Sequence, residues 1–157
     1  MAGRKTKLGV HLSPALFLLV FAGVCFAPQP PPEPVGSERD SMAEHYLTSS
    51  LTRWQHRLQL QDWSISVKLS KPNQLRRGTL GNIHWDSPAK TAEVRVLPAT
   101  EYSMPYNAAL RDMEFTLVHE LVHLELASLP RNDASRGDEE DAVNRVAEAL
   151  LRLDRGE

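Results

Sequence analysis

The chain has 157 residues, 41 % of them apolar and 24 % charged, with a formal charge of -2. That balance belongs to a globular domain with a short appendage; it excludes a wholly disordered chain, a fibre and a general polyanion binder, so no nucleic-acid partner is expected. The single cysteine, Cys25, excludes an internal disulfide and a cysteine-rich zinc site.

The N-terminus reads separately from the rest. Arg4, Lys5 and Lys7 precede an apolar run, Leu8 to Ala27, without a charged side chain. A basic start, a greasy middle and small residues near the end make residues 1–27 a signal peptide or membrane anchor. A cut after Ala22 would leave Ala22 and Val20 at the positions where small groups are needed. Left uncut, residues 8–27 are just long enough to span a bilayer. The expected location is therefore exported, periplasmic or secreted, or membrane-anchored. Residues 28–36, PQPPPEPVG, hold five of the 11 prolines and read as an extended spacer. Only three basic residues and one acid lie before residue 37, so residues 37–157 carry a net -4.

Residues 37–157 read as one α+β domain. Ser37 can cap a helix reaching about Leu60, with Met42, Tyr46, Leu47, Leu51, Trp54 and Leu58 as its apolar stripe. Trp63, Ile65, Val67 and Leu69 alternate with polar residues as a half-buried strand. Leu80, Ile83 and Trp85 suggest a second strand, Asp86-Ser87-Pro88 a turn, and Ala92, Val94 and Val96 a third strand, giving a small sheet that contains a hairpin. A long helix runs from about Asn107 to Ser128, where Pro130 ends it. A polar loop, Arg131 to Gly137, leads to a last helix from about Asp138 to Leu153, with an inward stripe of Val143, Val146, Ala147 and Leu150.

His119-Glu120-Leu121-Val122-His123 is an HExxH segment on the long helix. Four residues apart, the two histidines project from one face and can share a metal ion. Neutral imidazoles suit zinc, which takes three protein ligands in a catalytic site and keeps one position open. Glu120 points away from the histidine pair and can act as general base on the open side. The neighbours Val118, Leu121, Val122 and Leu124 make charges here costly unless they are paired or bound to a metal. The third ligand is expected from the last helix, as Glu139 or Glu140; helical angle slightly favours Glu139.

HELVH followed by Glu140-Asp141-Ala142-Val143-Asn144-Arg145-Val146-Ala147 and Leu150-Leu151 resembles the ImmA/IrrE-type metallopeptidases and other minimal gluzincins. The resemblance covers about 45 residues. It implies a zincin-like minimal metallopeptidase domain: an N-terminal helix, a small three-stranded sheet, the HExxH helix and a C-terminal ligand helix. It also implies Zn²⁺ held by His119, His123 and Glu140, with Glu139 the alternative ligand, and Asn144 hydrogen-bonded to a ligating histidine. Glu120 is then the catalytic base of peptide-bond hydrolysis, on a peptide or protein substrate. In such enzymes an edge strand above the site pairs with the substrate, and Thr91 to Leu97 is the expected one. Tyr102, Tyr106 and His84 are the candidate oxyanion donors by chain position. The competing readings are a catalytically inactive peptidase-like module that binds metal and a protein partner, and a structural domain without metal.

Overall fold

The structure is a computed structural model that describes residues 32–130 and 136–157. The segment read as signal or anchor lies outside the described residues, as do residues 131–135 of the polar loop. No helix among the described residues is long and apolar enough to cross a membrane.

The first helix, α1 (Ser37–Arg57), starts from Gly36 with no side-chain cap, so Ser37 is its first residue and not its cap. Its buried line is Ala43, Leu47, Ser50, Leu51 and Trp54. Met42, expected inside, is 49 % exposed, because Ala43 takes the inward place and rotates the stripe by one residue. The helix stops at Leu58. Gln59 turns left-handed at φ 56°, and the Leu60 N–H bonds back to the Gln55 carbonyl at 2.9 Å, a closure that satisfies a terminal carbonyl.

Three strands follow: β1 (Ser64–Leu69), β2 (Gly81–Asp86) and β3 (Thr91–Val96), in the spatial order β1-β3-β2. The β2–β3 hairpin is antiparallel, whereas β1 runs parallel to β3; Val94 faces Ile83 on one side and Val67 on the other. The expectation that Thr91 to Leu97 forms an edge is therefore overturned. β3 is the central strand, with Ala92, Val94 and Val96 buried. The apolar alternation that made it look like a strand is the reason: the strand with the most buried side chains takes the middle. The edge beside the long helix belongs to β2.

That long helix, α2 (Tyr106–Glu125), continues as a single 3-10 turn over Leu126–Ser128. It packs against α1, the sheet and the last helix, α3 (Arg136–Arg155). Met113, Leu117, Val118 and Leu121 are wholly buried. α3 starts two residues earlier than expected and packs through Val143, Ala147 and Leu151, while Val146 is 46 % exposed. Among the described residues the fold is α+β, with three α-helices and a small three-stranded sheet.

One buried carboxylate ties the three helices together. Glu114 of α2 is 3 % exposed. It accepts from Tyr46 Oη at 2.8 Å, from Trp54 Nε1 at 3.0 Å, from Arg155 Nη2 at 3.4 Å and from Arg53. Burial alone would raise its pKa, but the bonds from Trp54 and Tyr46 and the Arg53 charge hold it below the ordinary value. Glu114→Ala is expected to leave Arg53, Trp54 and Arg155 without their acceptor and to cost about 3–5 kcal/mol, read as a lowered urea midpoint.

Candidate metal centre

α2 and α3 meet at the HExxH segment. His119 and His123 sit one turn apart on α2, their rings edge to face with centroids 4.7 Å apart. Their Nε2 atoms approach to 3.1 Å. Glu140 of α3 places Oε2 3.4 Å from the first of these nitrogens and 3.5 Å from the second. The three side chains thus converge on one point, and together they could hold a metal ion.

The outer faces of the rings are also engaged. His119 Nδ1 lies 3.0 Å from Asn144 Oδ1, and His123 Nδ1 lies 3.2 Å from Glu139 Oε1. A carboxylate only accepts, so Nδ1 of a neutral His123 carries the proton and its Nε2 the lone pair. Where Asn144 presents its oxygen to Nδ1, the same tautomer follows at His119. Burial, then the neighbouring His123, pushes the His119 pKa down, against the opposing pull of Glu140 and Asn144. Two lone pairs 3.1 Å apart repel each other unless a positive charge lies between them, and outer bonds of this kind are how proteins fix metal-binding imidazoles.

Glu139 and Glu140 therefore part company. With Val146 turned outward, the inward line of α3 runs through Glu140, Val143, Ala147 and Leu151, and this carries Glu140 toward both Nε2 atoms. Glu139 instead reaches the outer nitrogen of His123. The slight preference of helical angle for Glu139 came from counting Val146 as inward.

Glu120 lines the same cavity, which encloses about 650 Å³, but lies on the side facing β2. It is 8 % exposed. Burial, and secondarily the Glu140 charge, push its pKa up to about 7. The wall opposite is Gly81: a Cβ there would stand 2.4 Å from Thr116 Cγ2, 2.8 Å from the Arg95 carbonyl and 3.7 Å from Glu120 Oε1. Only a residue without a side chain lets β2 come this close to α2.

None of the three candidate oxyanion donors lines the cavity. His84 is exposed on β2, 3.0 Å from Asn82 Nδ2. Tyr106 is buried at the start of α2 under the Arg39 guanidinium. Tyr102 is packed behind the cavity, where burial and then Asp112 raise its pKa. The lining instead includes Asn82, Asp112, Thr116, Arg76 and Arg136. Helical spacing could have found part of this set: Asp112, Thr116 and Glu120 recur every fourth residue, as do Arg136, Glu140 and Asn144. The approach of Gly81 carries no such signal. Compared with known proteins, the chain matches no family model, no curated protein and no solved structure.

Two expectations follow from the wall around Glu120. Gly81→Ala forces β2 away from α2 and should cost about 1–3 kcal/mol; Thr116→Ser, which removes the nearest methyl, should recover part of that loss in denaturant melts of the double variant. The second concerns pH. The folded pKa of Glu120, about 7, exceeds its ordinary value of 4.5. The folded state therefore binds more protons across that window, and the metal-free protein loses stability as pH rises through it, by roughly 3 kcal/mol. Glu120→Gln cannot lose a proton. Its advantage over the parent protein in chelator should be small at pH 5 and grow to about that size at pH 8. His119, whose pKa is lowered from 6.5, contributes in the opposite direction between that lowered value and 6.5, equally in both proteins, so the difference isolates Glu120.

Proposed function

We propose that the domain is a zinc-dependent metallopeptidase of the minimal gluzincin kind, similar to the ImmA/IrrE-type enzymes, which hydrolyses peptide bonds in a peptide or protein substrate. One observation carries this reading: two Nε2 lone pairs and one carboxylate oxygen converge on a point, while a separate buried carboxylate, Glu120, borders the same cavity. Separations of 3.1, 3.4 and 3.5 Å suit the ~3.3–3.4 Å edges of a tetrahedron with zinc bonds of ~2.0–2.1 Å, and a His₂Glu donor set leaves the fourth position open.

His119, His123 and Glu140 would hold the ion, with Asn144 and Glu139 fixing the rings from outside. When bound, zinc supplies Lewis acidity, which polarises a carbonyl and makes water acidic near neutral pH. The chain's own residues do the rest. Glu120 accepts the proton of the attacking water and delivers it to the leaving amine, a task suited to a carboxyl whose pKa lies near neutrality. The Gly81 wall keeps that carboxyl poorly hydrated. β2, an edge strand beside the cavity, offers a line along which an extended peptide backbone can pair. The same reading takes residues 1–27 as an export signal or anchor.

The purified full chain should contain one zinc per molecule, lost in His119→Ala and kept in Glu120→Gln. The parent protein should cleave a mixed peptide library, and Glu120→Gln should lower that rate at least 100-fold. Zinc without cleavage in the parent would favour an inactive metal-binding module that docks a protein partner. Absence of zinc from the parent would end the metal reading.

A further inference from the structure

We propose that the cavity recognises its peptide through a carboxylate, gripped by Arg76 and Arg136. This rests on the reading of the cavity as a peptide site and adds the chemical class of the substrate.

Both arginines line the cavity that holds the histidine pair. Arg136, Glu140 and Asn144 recur at four-residue spacing on α3, so they share one face of that helix. Glu140 and Asn144 both turn onto the histidines, which places Arg136 one turn further out along the same line. Arg76 enters from the loop before β2.

Among the described residues, no carboxylate around the cavity forms an ion pair with either arginine. Glu139 is at His123 Nδ1, Glu140 at both Nε2 atoms, and Glu120 is buried beside Gly81. Asp112 has its Oδ2 buried without a hydrogen-bond partner among the described residues, and its charge helps to raise the Tyr102 pKa. Among the described residues Arg53, Arg57, Arg95, Arg152 and Arg155 have a carboxylate partner; Arg39, Arg76, Arg77, Arg111, Arg136 and Arg145 have no ion pair, and of these six only Arg76 and Arg136 line the cavity. A guanidinium presents five N–H donors in a fork that fits a carboxylate. The cavity thus offers two forks with no acceptor of their own. The same cavity has apolar lining, including Leu80, Trp85 and Phe115, and such surfaces strengthen a charge pair by displacing water. A peptide that sets a carboxylate beside a bulky apolar side chain satisfies both features. Its carboxylate is either an acidic side chain or the chain's C-terminus.

The test measures binding, not turnover. Fluorescein-labelled hexapeptides with a central Leu flanked by Glu, Gln or Lys, each as free acid and as C-terminal amide, are titrated into full-length Glu120→Gln by anisotropy, with zinc and with chelator. The Glu or the free-acid form should bind at least tenfold tighter than its neutral counterpart. That advantage should fall below threefold when Arg76→Gln and Arg136→Gln are combined, and return in part with Lys at both positions. Whichever carboxylate loses its advantage in the arginine variants is the source. Equal binding of all peptides, no binding of any, or a preference that follows zinc and ignores the arginines would overturn the proposal. Zinc content and cleavage of a mixed library by the parent protein report separately on the peptidase reading, which survives any of those results if both persist.

Discussion

The meeting of two imidazoles with their Nε2 atoms 3.1 Å apart is the constraint around which the site is built: α2 fixes their spacing, and Asn144 lies against one ring and Glu139 against the other. Glu140 Oε2 comes to the same point, and the three groups together could hold a metal ion.

α2 carries two buried carboxylates, and the contrast between them separates architecture from chemistry. Glu114 is surrounded by donors from α1 and α3 and stays ionised. It joins helices. Glu120, at 8 % exposure, has β2 pressed against it, and its pKa rises to about 7. Burying a charge without partners is costly, and that cost is what raises the pKa. The same helix thus carries one acid that holds the domain together and another whose charged form is disfavoured by burial.

Much of this domain is written locally. Helix and strand positions follow from apolar spacing, and the histidine pair follows from a step of four on a helix. The misreadings in the helices share one origin, which is a choice between neighbouring residues that local pattern weighs almost equally: Met42 or Ala43, and Leu150 or Leu151, are adjacent positions. Helical angle leaves Glu139 and Glu140 open for the same reason. Ala43 and Ala147 are both wholly buried on the inward faces that the helices take up. Strand order had the same character. Alternation marks Thr91–Val96 as a strand but does not say whether it lies at the edge or in the middle.

What the sequence determined by itself was the inventory and its local geometry: three helices, three strands, a hairpin turn, and two histidines and an acid on one helix. Backbone hydrogen bonding and side-chain period act over a few residues, so these features need no distant partner. Only the tertiary structure decided which acid of α3 meets the histidines, that β2 is the strand beside them, and that Gly81 closes the wall next to Glu120. Those outcomes depend on how closely separate elements can pack, and packing is set by side chains far apart in the chain.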